Sequence, residues 1–165
     1  MEHLTISMWS LALLVAVALA FDFMNGFHDG ANSISTIVAT GALTPKQAVA
    51  FAAFFNFAAM WIFQLKVAAT IGKGTVDPGL VDHYVIFGAL MGALAWNIIT
   101  WYYGIPSSSS HALVGGLVGA TVVKAGDLSP IVWSGFGKIL AFIVISPLVG
   151  FLIGVTISYL SALQL

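Results

Sequence analysis

Two apolar runs, residues 11–21 and 37–43, are joined by a polar stretch carrying Asp22, Asn25, His28, Asp29, Asn32, Ser33 and Thr36, where continued hydrocarbon would be expected. Asp22, Asn25, Asp29, Asn32 and Thr36 follow one another at intervals of three, four, three and four residues, so a continuous helix would align them on one stripe. Asn25-Gly26 and Asp29-Gly30 are turn signals as well. Each glycine disfavours helix by about 1 kcal/mol relative to alanine. The sequence therefore predicts a helix broken within the polar stretch.

Such a stretch is unusual because its surroundings belong in a bilayer. Of 165 residues, 60% are hydrophobic and only 7% charged, and the mean hydropathy is +1.04. That charge content is too low to cover a water-soluble domain. Several segments meet or approach the roughly 20 apolar residues a span requires. The chain reads as an all-α, polytopic integral membrane protein. Five lysines, no arginine and a net charge of -1 leave no basic surface for nucleic acid and no polybasic lipid anchor. Zero cysteines exclude disulfides, thiolate metal sites and cysteine nucleophiles. The amino-terminal Met1, Glu2 and His3 lack the positive charge of a signal peptide, so the first apolar segment reads as a retained membrane helix.

In chain order the sequence predicts one membrane domain over residues 1–165, with spans at about 6–41 (broken), 47–67 and 83–103, a re-entrant segment at 105–123, and a last span at 131–160. Thr44 and Pro45 suit the N-cap and first turn of the second span. Residues 70–82, with Gly72, Gly74, Pro78, Gly79 and the three charges of Lys73, Asp77 and Asp82, read as a surface loop. Gly88 and Gly92 have the spacing that lets helices approach closely. Trp101, Tyr102 and Tyr103 read as an interfacial aromatic belt. The apolar run at 112–123 is too short to span and suits a half-helix beginning near Ser109. The last segment, interrupted by Ser146-Pro147, is expected to form one tilted or kinked helix.

Two polar stretches carry the chemistry. A carboxylate in the bilayer interior costs at least about 2.5 kcal/mol on insertion scales, so Asp22 and Asp29 need a cation, a proton or water. Sodium suits hard oxygen donors such as these carboxylates and Asn25; protonation of an aspartate is the rival solution. Ser107, Ser108, Ser109 and Ser110 lie where a half-helix would expose free backbone N–H groups, and Asn32 and Ser33 would open a second half-helix in the same way. Helix N-termini carry about +0.5 of an elementary charge and receive anions without an arginine. Discontinuous helices of this kind point to the substrate site of a secondary transporter.

Structural readings stand beside these. The aspartates would hydrogen-bond neighbouring helices, the serines would form a loop or a small-residue packing surface, and Asn56 and Asn97 would bond between helices. His28 and His111 have no partner at zinc-site spacing and read as structural or cavity-lining groups. An intramembrane enzyme would need a nucleophile in a recognisable elbow or dyad, and none is present. A channel using the same polar groups would lack saturation and gradient coupling.

Residues 25–33, Asn-Gly-Phe-His-Asp-Gly-Ala-Asn-Ser, resemble the signature of the inorganic phosphate transporter (PiT) family, and residues 51–57 and 104–116 resemble two further blocks of it. The resemblance implies uptake of inorganic phosphate by alternating access, symported with Na+ or H+, in the plasma membrane, which is the inner membrane in a bacterium. It implies a substrate site at Ser107, Ser108, Ser109, Ser110, Asn32 and Ser33 and a coupling-ion site at Asp22, Asn25 and Asp29, with Asp22 and Asp29 as metal ligands only toward Na+ and no other cofactor. Sulfate is carried by some relatives. Complete members hold the motif twice, in inverted halves, whereas this chain holds it once. A second half-transporter, or a second copy in the opposite orientation, is the partner this implies; a transport-inactive remnant is the alternative.

Overall fold

The computed structural model describes residues 7–63 and 74–163. Among them five helices follow in order: α1 (Met8–Ala39), α2 (Pro45–Phe63), α3 (His83–Tyr102), α4 (Ser109–Ala125) and α5 (Trp133–Ala162), with a 3-10 turn at Pro78–Leu80 before α3. α1, α3 and α5 are long and apolar enough to cross a membrane. At 1.5 Å per residue the 32 residues of α1 reach about 48 Å, longer than a bilayer's hydrocarbon core, so the helix must tilt or project. The all-α membrane class stands.

The expected break in α1 is corrected. The helix runs without interruption through Gly26 and Gly30. Two glycine penalties of about 1 kcal/mol each are smaller than the cost of leaving several backbone groups unpaired in hydrocarbon. Asn25-Gly26 and Asp29-Gly30 are turn signals in water, where the solvent satisfies the freed amides. One consequence is that residues 32–36 present no helix N-terminus, so only the second of the two expected anion-facing helix ends exists, at α4.

Helix ends are otherwise where local chemistry puts them. Ser7 caps α1 through its hydroxyl, which accepts from Ser10 N–H at 3.1 Å. Before α2, the Thr44 N–H and hydroxyl both donate to Gln47 Oε1, at 3.1 and 2.8 Å, in the manner of a capping box. The expected 64–67 end of that span lies outside the described residues. α5 is one helix with Pro147 inside it.

α1 and α3 run in the same direction: Phe21 packs with Leu90 and Ala93, and seven residues further along both helices His28 meets Thr100. α4 returns antiparallel to α3. A methyl at Gly116 would run into the Ala89 carbonyl, and one at Gly88 would lie 3.3 Å from the Ala120 Cβ. Small residues thus bring the two backbones together, as in close-packed membrane pairs. At the open end of this hairpin Lys124 Nζ bonds Asp82 Oδ2 at 2.8 Å and the Leu80 carbonyl at 3.0 Å. At the closed end Gly104, with φ of 65°, turns the chain while its N–H and that of Ile105 satisfy the Trp101 and Thr100 carbonyls.

Of the expected surface loop over residues 70–82, positions 70–73 lie outside the described residues and Asp77, Pro78 and Gly79 are exposed, but the first described part turns inward. Thr75 and Val76 are buried, and Val76 pairs with Ile131 in an antiparallel bridge. Asp77 N–H donates to the Pro130 carbonyl at 2.8 Å and Val132 N–H to the Thr75 carbonyl at 3.0 Å. The two turns satisfy each other's amides, so Thr75 and Val76 are held inside while Asp77, Pro78 and Gly79 stay exposed. Elsewhere the apolar surface faces outward: α5 has no buried residue.

Candidate functional site

The polar stripe of α1 meets the tip of the α3–α4 hairpin at Asp29. Ser109, 1% exposed at the first position of α4, donates its hydroxyl to Asp29 Oδ2 at 3.0 Å. The other carboxylate oxygen, Oδ1, lies 3.2 Å from His28 Nδ1 and 3.5 Å from Asn32 Nδ2. His28 is buried and its Nε2 lies 3.1 Å from Thr100 Oγ1 on α3. Three helices therefore converge on one carboxylate. The proton count constrains the relay: if Thr100 gives its single hydroxyl proton to Nε2, a neutral His28 donates from Nδ1 to Asp29. If Thr100 instead donates to the Trp96 carbonyl, 2.9 Å away, His28 needs protons on both ring nitrogens to serve both neighbours.

The hairpin's four serines divide the work. Ser107 Oγ accepts from the Trp96 indole N–H at 3.0 Å. Ser108 is the N-cap of α4, its hydroxyl accepting from His111 N–H at 3.4 Å. Ser109 is committed to Asp29, and Ser110 is exposed on a cavity wall. The start of the 17-residue α4 at Ser109 agrees with the sequence, although the helix is longer than its apolar run.

Other expected site residues stand apart. Asp22 is exposed and Asn25 half-buried, and neither makes a side-chain hydrogen bond among the described residues. Both lie on the same stripe as Asp29, one and two turns toward the N-terminus of α1. The Ser33 hydroxyl donates to the Gly30 carbonyl of its own helix at 3.0 Å. Asn32 borders a cavity of about 160 Å³ shared with His28, Thr100 and the turn at Gly104, Ile105 and Pro106. Among the described residues no three His, Asp or Glu side chains form a metal cluster.

Sequence reasoning missed Thr100 and Trp96. The signal was available for the first: Asn97 and Thr100, three residues apart, are polar positions on one face of an apolar helix. Asn97 itself, expected to bond between helices, is fully buried with neither amide atom partnered among the described residues.

Comparison with known proteins gives the same direction. The model of the phosphate transporter family matches residues 25–164. A protein of Rhizobium meliloti named as a probable low-affinity inorganic phosphate transporter is 61% identical over 140 residues, covering 85% of this chain and 42% of that protein. Its namesake in Bacillus subtilis is 49% identical over 144 residues, covering 86% of the chain and 43% of the relative. One from Streptomyces halstedii is 44% identical over 150 residues, covering 89% of the chain and 68% of the relative. The chain thus spans less than half the length of the first two. No solved structure matches it.

Proposed function

The chain belongs to the phosphate transporter family, which is not a family of enzymes, and from that premise we propose that it is a secondary active transporter for inorganic phosphate, or the amino-terminal half of one. The coupling ion is Na+ or H+ and the mechanism alternating access. What carries the reading is the Ser109–Asp29 bond, because it joins the acidic stripe that would receive a cation to the helix end that would receive an anion.

In this reading a cation or proton arriving at Asp29 competes with Ser109 for Oδ2. Release of the hydroxyl frees the start of α4 to turn toward phosphate, so the two ligands are linked through one oxygen. Asn32, beside the small cavity, supplies a hard oxygen of the sort Na+ prefers, and the residues fit that ion without a soft donor. Asp22 and Asn25 extend the same stripe and serve the cation from the next turns. Ser107, Ser108, Ser110 and Ser33 offer hydroxyls to the anion after local rearrangement. Asn97 supplies an amide that the resting arrangement leaves unused.

The short coverage of the longer relatives supports a half-transporter that works with a second half or with an oppositely oriented copy. Sulfate in place of phosphate is distinguished by competition. The test is radiolabelled phosphate uptake by proteoliposomes holding this chain alone, under a Na+ gradient, a pH gradient or neither. Saturable uptake driven by one gradient identifies the coupling ion. Absence of uptake from inserted protein, restored by adding a second half, assigns the chain to half of the site; absence in both cases leaves a transport-inactive partner.

A further inference from the structure

α1 and α3 pack closely from Leu14 inward, where Leu14, Val17 and Ala18 lie against Phe21, Leu90 and Ala93. Nearer their starts the two helices leave a wedge of about 240 Å³ between them, lined by Ser10, Leu13, Leu14, His83, Tyr84 and Phe87. The parallel register that sets His28 beside Thr100 puts Ser10 level with the start of α3 at Asp82 and His83. This level is a membrane boundary: α1 and α3 are both long and apolar enough to span, and their first turns carry Trp9 and Tyr84, exposed aromatic residues of the kind that settle among lipid headgroups. The lining is ordered by depth. Ser10, His83 and Tyr84 stand at the rim, and Leu13, Leu14 and Phe87 follow about one helical turn, roughly 5.4 Å, further in. Those three inner side chains offer water no hydrogen-bond partner, so ordered water does not fill the space. A molecule that does fill it is polar at one end and hydrocarbon at the other, and it enters sideways from the bilayer.

The charges select the headgroup. No lysine or arginine lines the wedge. The carboxylate of Asp82 adjoins His83 in the chain, and Lys124 is already bonded to it at 2.8 Å. An anionic headgroup would gain no free cation there and would face a carboxylate. An ammonium headgroup gains an acceptor, because a carboxylate has about four lone-pair sites, and Asp82 gives one to Lys124 and one to the Val85 N–H. The Tyr84 hydroxyl and the His83 ring, on side chains whose ring centres lie 4.0 Å apart, supply donors for a phosphodiester.

We propose that the wedge between the starts of α1 and α3 binds an ethanolamine phospholipid. Its ammonium group donates to Asp82, its phosphodiester accepts from Tyr84 and His83, and one acyl chain covers Leu13, Leu14 and Phe87. The lipid completes the contact between the two helices that carry Asp29 and Thr100. The site stands whether or not the chain moves phosphate.

The test places the full 165-residue chain in nanodiscs of equal parts phosphatidylcholine, phosphatidylethanolamine and phosphatidylglycerol, and native mass spectrometry counts the lipid each protein retains on release into mild detergent. Wild type is expected to retain phosphatidylethanolamine at least about fivefold over either other lipid. Ser10→Phe, which fills the wedge, should lower that retention about tenfold, and Tyr84→Phe, which removes only a hydroxyl, about threefold. Phe151→Ala, on the exposed surface of α5, should leave it unchanged. Circular dichroism and a monodisperse elution profile matching wild type establish that the variants fold, and Tyr84→Phe decides if Ser10→Phe does not. Equal retention of the three lipids would mean unselective surrounding lipid and overturn the site. Preference for phosphatidylglycerol, or phosphatidylethanolamine retention unmoved by the folded wedge variants, would overturn it as well.

Discussion

Ser109 and Asp29 are 80 positions apart in sequence, yet the Ser109 hydroxyl donates to Asp29 Oδ2 at 3.0 Å. The bond places the N-terminus of a helix against a carboxylate, an arrangement that is favourable for the helix dipole and occupied until something displaces it. Ser109→Ala leaves that oxygen with no side-chain donor. Loss of about 1–2 kcal/mol of stability is expected from a partly buried, charge-assisted bond. Thermal unfolding in detergent measures it, and Ser109→Thr, which retains the hydroxyl, should recover most of the loss; equal melting of wild type and Ser109→Ala would remove the bond from the account.

Thr100 makes the second tie between α1 and α3, through His28. Thr100→Val has nearly the same shape and no hydroxyl. It leaves His28 Nε2 buried without a partner, a change costing about 1–3 kcal/mol, whereas Thr100→Ser should be nearly neutral. A double-mutant cycle with His28→Leu isolates the pair: additive losses would show that the two side chains do not interact.

Asn97 carries the opposite expectation. An amide that is fully buried and unpartnered destabilises the resting protein, so Asn97→Leu should raise its stability by about 1–2 kcal/mol. If the amide serves the transport cycle, phosphate uptake falls at least about tenfold in the same variant. Higher stability with unchanged uptake would assign Asn97 to packing.

Gly116 and Gly115 form a matched pair of substitutions. At Gly116 an added methyl meets the Ala89 carbonyl, while at Gly115 nothing lies within 4 Å. Gly116→Ala is expected to lose about 1–3 kcal/mol by forcing α3 and α4 apart, and Gly115→Ala to stay within about 0.5 kcal/mol of wild type or gain slightly. Similar melting of the two variants would contradict the close approach.

Asp82 lies outside the membrane spans, and its carboxyl is held below the usual carboxylate range, first by the hydrogen bond from Lys124 and next by the Val85 N–H it caps. A depressed native pKa means that the group stabilises the fold above its unfolded pKa, near 3.9, and that this contribution is lost as pH falls through the native value. Stability measured from pH 6 downward should therefore decline in wild type on the acid side, and Asp82→Asn should flatten that decline. An identical slope in both would contradict the clamp.

The sequence made the all-α membrane class and the start of α4 near Ser109 legible, because hydropathy and the switch from a serine run to an apolar run are local signals. It misread the path of α1 because glycine propensities refer to water, whereas hydrocarbon makes an unpaired amide costlier than a helical glycine. It misread Thr75 and Val76 for a related reason: turn residues say that the chain bends, not whether a second turn will satisfy its amides. The Asp29 motif was visible as a stripe, but its pairing with Ser109 was not, since a contact across 80 positions leaves no local trace.

The central claim is that Asp29 couples a cation to phosphate movement, and the most direct measurement compares gradient-driven phosphate uptake by wild type and Asp29→Asn at matched membrane insertion, with the second half supplied if the chain alone is inactive. The account predicts saturable uptake in wild type and near-complete loss in Asp29→Asn, with insertion unchanged. Uptake in Asp29→Asn equal to wild type, under the same gradient, would contradict it.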